Sequence, residues 1–431
     1  MNITKITTIL FALFCFSSCK KEPLGQQAQE YLADYNEFVD TLKTYHPALY
    51  EFTPKTTFDK TIERLKNQID NSTSKRDLLW KLNEIITLLG DTHSSFGFFG
   101  SYSDLIKYEE YFPLQVRLIK DELVVIDPMI NKNRTRKGDV IDSINGRSIK
   151  KIIEDIYNHI PAQAHITNGK KGMFNAFQDT YIPYALNFPE SYHIKIKGEK
   201  ESIGLKPIAG KPKYLPMISP QSLCQKQFCL NELNENTALL TLRSFAYYGN
   251  KTQVLKNFLD ESFKMIKEKN LQNLIIDIRG NLGGTSEIGR HLLKHTLNEP
   301  FTFFSQSDFE DTEIENIPFD TNFEGNIYIL MNGDGFSSVG QLASIYKDKK
   351  RATFIGETLG SNQFCTANQK QFELTNTKFT YTVSRNIFII DVEEKNTRAT
   401  IEPEIEVEQS IEEFFSDKDV VLDKALELIN P

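Results

Sequence analysis

Three short stretches carry the residues whose types and spacing suit acyl-transfer chemistry. The first is "MNGDGFSSVGQLASIYKD", residues 331–348, where Ser337 and Ser338 sit between a predicted buried strand (326–331) and a predicted helix (339–346). A serine on a tight strand-to-helix turn is one way a fold exposes a nucleophilic hydroxyl. Serine alone is a weak nucleophile, so a base must take its proton. The closest histidine in sequence, His295, lies with His291 on a separate predicted helix, "SEIGRHLLKHTL". The base must therefore come from elsewhere in the chain.

The second stretch is "LLGDTHSSFGF", residues 88–98. Here His93 follows a helix at the point where the chain enters a run of small polar residues, so its ring can face a cleft. An imidazole of ordinary pKa, near 6.5, is largely neutral at physiological pH, as a base must be. The other histidines read differently: His46 as structural, His159 and His165 in or near a middle domain, His193 in an alternating strand. The third stretch is "LIIDIRGNLGG", residues 274–284. A glycine turn lets backbone N–H groups approach a substrate oxygen with no side chain in the way. Gly283 and Gly284, with the N–H of Ser338, are the candidate oxyanion donors. A glycine turn after a buried strand is also often just a turn. No metal-ligand motif such as H-E-x-x-H occurs, and the chemistry requires neither metal nor organic cofactor.

The elements that must position these residues follow from periodicity. Three amphipathic helices are predicted in residues 28–98, on the stripes Tyr31 to Leu42, Phe58 to Ile69 and Leu78 to Leu89. Ser74 and Asp77 form a capping-box pattern at the start of the third, and Gly90 ends it. Residues 99–214 change to strand alternation, with turn dipeptides Gly138-Asp139 and Asn145-Gly146 around a short strand and a helix over 149–156. Beyond 215, near-continuous apolar strands alternate with helices, which indicates a parallel sheet with both faces covered. In such sheets, chemistry gathers at the carboxyl ends of the strands, where both the glycine turn and the serine turn fall.

At 431 residues the chain is long enough for two or three domains, and a net charge of −8 argues against a nucleic-acid binder. Residues 1–19 read as an export segment: Lys5, an apolar run from Ile6 to Phe16 too short to span a bilayer, then "FSSC". The last four resemble a relaxed lipobox, with Cys19 as the lipidated residue and 20–27 as a tether. The expectation is an exported, outer-membrane-anchored lipoprotein facing the periplasm or the cell surface. Cys224 and Cys229 are close enough to pair across a short loop, which an oxidising compartment allows. Cys365 is left over and is expected to be buried.

The ordered set "LLGDTHSSF", "KGDVIDSINGRSI", "LIIDIRGNLGG", "GFSSVGQLASIYKD" and "FIGETLG", ending in "TIEPEIEV" (400–407), resembles the S41 family of serine peptidases, the C-terminal-processing and tricorn-like enzymes. The resemblance implies an α/β protein with an N-terminal helical domain, a small PDZ-like β domain and a ClpP/crotonase-like peptidase core over 215–431. It implies a peptide or protein substrate, and Ser337 as the nucleophile. One family branch uses a lysine as base after the "GE-T-G" loop, where Ser361 and Asn362 stand here. The tricorn-like branch uses a histidine preceded by a hydroxyl residue, which Thr92-His93 keeps. Thr92 or a carboxylate would orient the ring. A distant glutamate is also expected, for which Glu393 and Glu394 are both available and Glu394 is preferred. Gly340 stands where the family has an acidic residue. The rival expectation is therefore a catalytically weak or inactive S41-like protein that binds a peptide or hydrophobic ligand.

Overall fold

The local sequence rules act most plainly at the amino-terminal end. In the computed structural model, residues 23–97, 105–210, 223–308, 312–416 and 418–430 are described. The export segment, including Cys19, lies outside the described residues. Helix α1 (Gln26–Tyr45) buries Tyr31, Tyr35, Phe38, Val39 and Leu42 on one face. It is followed by α2 (Lys55–Lys66), which buries Phe58, Ile62 and Leu65, and α3 (Lys75–Thr87). The α3 capping box forms as expected: Ser74 Oγ accepts from Asp77 N–H, while the Asp77 carboxylate accepts from Ser74 N–H. Gly90 then takes φ +61°, and a Cβ there would meet the Phe52 ring at 2.4 Å. A glycine is therefore required where the chain turns out of α3 toward His93.

The middle of the chain forms a six-stranded antiparallel sheet. Its main path runs Gln115–Ile119, Glu122–Asp127, Val140–Ile144, His193–Ile196 and Ser202–Gly204, in that spatial order. Helix α4 (Ile149–Tyr157) matches the expected one. The sequence reading did not anticipate α5 (Thr167–Ala185), which contains Pro183 and a break in helical geometry at Phe177. The α1–α3 helices, the middle sheet and the distant hairpin of strands Lys370–Glu373 and Thr380–Val383 share one hydrophobic cluster. The boundary expected at 98/99 is thus not a break in the core.

The carboxyl-terminal region holds a six-stranded sheet. Strands Thr237–Leu242, Asn273–Asp277, Asn326–Met331, Thr353–Gly356 and Ile405–Glu406 are mutually parallel, and Phe228–Asn234 adds an antiparallel edge. Alternate residues of the strands point to opposite sides. Ala238, Leu240, Leu274 and Ile276 pack in the cluster that includes residues of α6 (Asn250–Glu268), α7 (Ser286–Thr296) and α8 (Ser338–Asp348). Leu239, Ile275, Leu330 and Ile355 meet the terminal helix Val420–Ile429. Burial on both faces explains why these strands read as continuous apolar runs. Cys224 and Cys229 are joined as a disulfide with Cα atoms 5.8 Å apart, and Cys365 is a buried free thiol. Among the described residues, no helix is long and apolar enough to cross a membrane.

One ion cluster ties the glycine turn to the end of the chain. The Arg279 guanidinium donates to both oxygens of Asp277 at 2.8 Å and to both oxygens of Asp419 at 2.7 Å. Asp419 also caps the terminal helix by accepting from Leu422 N–H. Asp419→Ala removes the cap and half of the arginine's partners. We expect a loss of about 2–3 kcal/mol in chemical denaturation. A loss indistinguishable from that of an exposed-residue control would contradict this role.

Candidate active site

The two functional turns meet because their strands are adjacent and parallel. Asn273–Asp277 and Asn326–Met331 pair in register, so both loops leave the same edge of the sheet. Ile278 N–H donates to Leu330 O, Gly280 N–H to Asn332 Oδ1, and Phe336 N–H to Asn281 O. Asn281 is fully buried and stitches the glycine turn together: its Nδ2 donates to Leu242 O and its Oδ1 accepts from Gly283 N–H at 2.8 Å.

Ser337 stands at the entrance of α8 with φ 56° and ψ −123°. That left-handed backbone costs a non-glycine residue about 1–3 kcal/mol, and persists only where the surroundings over-determine it. They do so here. Ser361 Oγ–H donates to Gly335 O at 2.9 Å. A Cβ on Gly283 would lie 2.6 Å from Phe336 O and 2.8 Å from Ser337 Cβ, and one on Gly360 would lie 2.1 Å from Gly333 O. Helix α5 closes the other side, where added Cβ atoms on Gly169 and Gly172 would strike Phe336 and Asp334.

His93 reaches this turn from 244 residues upstream, with Nε2 3.1 Å from Ser337 Oγ. The loop that carries it is pinned by the hairpin: Ser95 and Thr382 form an antiparallel bridge, and Thr382 Oγ1–H donates to His93 O. Beneath lies Asp91, fully buried. Its carboxylate accepts from His93 N–H at 2.8 Å, Ser94 N–H at 3.0 Å and Ser384 Oγ–H at 2.8 Å, and its Oδ2 is 3.3 Å from His46 Nε2. The other ring nitrogen of His93, Nδ1, has Asp91 Oδ1 at 3.5 Å and Cys365 Sγ at 3.8 Å. Burial opposes charge on Asp91, but hydrogen bonds from His46 and His93 outweigh it and hold the carboxyl well below its ordinary range. Burial likewise opposes the imidazolium of His93. The Cys365 sulfur and the Asp91 carboxylate overcome it and hold the ring well above its ordinary value.

The expected residues are not all brought together. Thr92 is half-buried and makes no hydrogen bond to the His93 ring among the described residues; Asp91, one position earlier, is the group beside it. Glu394 is exposed, and among the described residues the group it engages is its backbone carbonyl, which accepts from Gln363 Nε2 and Asn396 N–H. Glu393 is also exposed, with its N–H donated to Asp348. Both lie on the polar surface loop that follows the strand Asn386–Ile390, so neither carboxylate orients the ring. Gly283 N–H is spent on Asn281, which leaves Gly283 as a close-approach residue. Among the described residues no acceptor takes the N–H of Gly284 or of Ser338. Gly340 has a simple packing cause: a Cβ there would lie 2.4 Å from Ser361 Oγ and 2.7 Å from Asn362 O, so an acidic side chain has no room. Asn362 is itself a staple, donating to Thr397 O and Ala399 O. Sequence reasoning missed His46, Ser384 and Cys365 as members of the network. The one sequence signal for Asp91 was its place two residues before His93 in "LLGDTHSSF", one of the stretches that carry the family resemblance.

Comparison with known proteins matches the part of the chain that carries the glycine and serine turns to a family model. Residues 236–407 match the model of peptidase family S41. That segment, less than half of the chain, is similar to S41 peptidase domains. The fold agrees. The structure of mature CPAF complexed with lactacystin has a TM-score of 0.65 at 13% identity, covering 94% of this chain and 99% of that one. A further structure of mature CPAF has a TM-score of 0.63 at 12% identity, covering 94% and 98%. A candidate peptidase from Parabacteroides merdae has a TM-score of 0.51 at 14% identity, covering 93% and 97%. No curated protein matches the sequence.

The electrostatics predict a titration. His93 should remain protonated to a higher pH than an ordinary imidazole, and Cys365→Ala should move its midpoint toward acid by removing one of the groups that favour the cation. Nitrogen-15 NMR of the histidine rings reads both. A His93 midpoint at or below the ordinary value, unmoved by Cys365→Ala, would contradict the assigned causes.

Proposed function

We propose that the protein hydrolyses peptide bonds through an acyl-enzyme on Ser337, with His93 as general base. The observation that carries this reading is the 3.1 Å contact between His93 Nε2 and the Oγ of a serine in strained backbone geometry. In the proposed sequence, His93 acts in its neutral form, which becomes populated only as the pH rises toward the ring's raised midpoint; its Nε2 then accepts the Ser337 proton as Oγ attacks the scissile carbonyl. The backbone N–H groups of Ser338 and Gly284 stabilise the oxyanion, helped by the positive end of α8. His93 then gives its proton to the leaving amine, and water, deprotonated by the same ring, releases the acid. Asp91 fixes the ring through the backbone of His93 and the edge of Nδ1. Cys365 packs beside that edge. Thr92 contributes loop geometry rather than a proton.

The substrate is a peptide or protein, as the family implies. A cleft of about 650 Å³, lined in part by His46, Ala48, Phe364, Ile387 and Ile389, adjoins the Asp91 network and offers apolar side chains a place beside the site. We also read "FSSC" as the lipid-attachment signal of an exported protein, with Cys19 tethering the soluble body to the outer membrane. The support is compositional, together with the disulfide at Cys224 and Cys229, which suits an oxidising compartment.

A serine-directed fluorophosphonate tests the chemistry. We expect labelling of the wild type, loss in Ser337→Ala, a drop of at least about a thousandfold in labelling rate in His93→Ala, and retention in Ser338→Ala. Absence of labelling in a folded wild type, with peptide or lipid recovered on purification, would favour the binding-protein reading instead. For the anchor, Cys19→Ala should move the protein from the membrane to the soluble fraction; unchanged partition would reject lipidation at that residue.

A further inference from the structure

Outside the active site, one cluster combines metal-ligating side chains from two elements. His291 and His295 are one helical turn apart on α7, which puts both rings on the same face. Asp260 comes from the neighbouring helix α6. His291 Nε2 lies 2.7 Å and His295 Nε2 2.8 Å from the same oxygen, Asp260 Oδ1. The two imidazole planes are nearly perpendicular, at 78°, so the nitrogens converge from different directions. We propose that Asp260, His291 and His295 bind a divalent first-row transition-metal ion of the zinc type, clipping α6 to α7.

Several independent features favour this assignment over a chance hydrogen-bonded triad. The donor set is two imidazoles and one carboxylate, which suits zinc, cobalt or nickel and disfavours magnesium or calcium. The three ligand atoms lie within 4.8 Å of one another. Aromatic rings fix the imidazoles before any ion arrives: Phe263 stacks on His295 at 4.4 Å and 2°, and Phe319 packs against both histidines. The Asp260 side chain is 47% exposed, which gives an ion an entry path and leaves room for water as a fourth ligand.

The cost is small. Ligand atoms around a tetrahedral zinc sit about 3.3 Å apart, so the exposed carboxylate must move back by about half an ångström from each nitrogen. Two features limit affinity. His295 Nδ1 is buried without a partner, so that ligand lacks the outer hydrogen bond that tightens many sites. Lys294 lies over the Phe319 ring and Lys256 pairs with Glu287, placing positive charge nearby. We therefore expect micromolar rather than nanomolar binding. The sequence reading named no metal site because the third ligand stands on a separate helix, away from the H-x-x-x-H pair. The ion would hold α7, whose amino end continues directly from the glycine turn.

The test uses the mature full-length chain, stripped with chelator and titrated with Zn²⁺ and with Co²⁺. Expected results are one equivalent of Zn²⁺ by calorimetry, and cobalt visible bands of nitrogen and oxygen ligation without a thiolate charge-transfer band. Binding should weaken at least tenfold in His291→Gln and in Asp260→Asn, and persist in His93→Ala. A cobalt spectrum with thiolate character would place the ion at Cys365 and overturn the proposal even if the α6–α7 variants failed to fold. So would the absence of saturable binding, or binding unaffected by His291→Gln but lost in His93→Ala.

Discussion

The buried carboxylate of Asp91 is the constraint on which the arrangement of this site depends. A charge this deeply buried is tolerated only when hydrogen bonds replace its hydration. Asp91 obtains them from its own loop, from the 46–48 segment through His46, and from Ser384, the residue that follows the hairpin strand Thr380–Val383. Satisfying that one group therefore fixes three segments at once, and fixes His93 two residues away. The imidazole inherits a position rather than having to find one. Orientation supplied before the reaction is what makes a base effective, because no ordering entropy remains to be lost at the moment of proton transfer.

The serine side is held by a different means, namely close backbone approach. Parallel strands bring the glycine turn and the serine turn to one sheet edge, and glycines at 283, 333 and 360 let backbone segments approach where a Cβ would collide. The strained φ of Ser337 is sustained by that packing. Helix α5 takes part through Gly169 and Gly172, so the middle domain presses on the turn that carries the hydroxyl. Hairpin 370–383, meanwhile, buries its apolar face in the amino-terminal core. These two crossings make the site a joint product of all regions of the chain. They also tie the amino-terminal helices to the carboxyl-terminal sheet region.

Much of this was legible in sequence where local rules decide. The capping box at Ser74, the glycine ending at Gly90, the parallel strands and the serine turn all follow from nearest-neighbour chemistry. The pairing of His93 with Ser337 came from the family pattern together with the polar run around the histidine. What could not be read depends on contacts remote in sequence. Helix α5 contains glycines and a proline that argue against a helix locally, and it exists because those glycines fit against the serine turn. Thr92 and Glu394 were preferred as orienting groups because register and resemblance cannot report burial; Asp91 holds that position by virtue of Ser384 and His46. Gly340 read as a missing acid and is instead a packing requirement of Asn362.

The central claim is that His93 and Ser337 act as one unit, positioned by the fold. A double-mutant cycle measures this directly, using the second-order rate of hydrolysis of an activated peptide ester by wild type, His93→Ala, Ser337→Ala and the double variant. If the two groups form one proton-transfer unit, each single change should cost nearly as much as both together. Losses that multiply independently, or a His93→Ala variant as fast as wild type, would contradict the account.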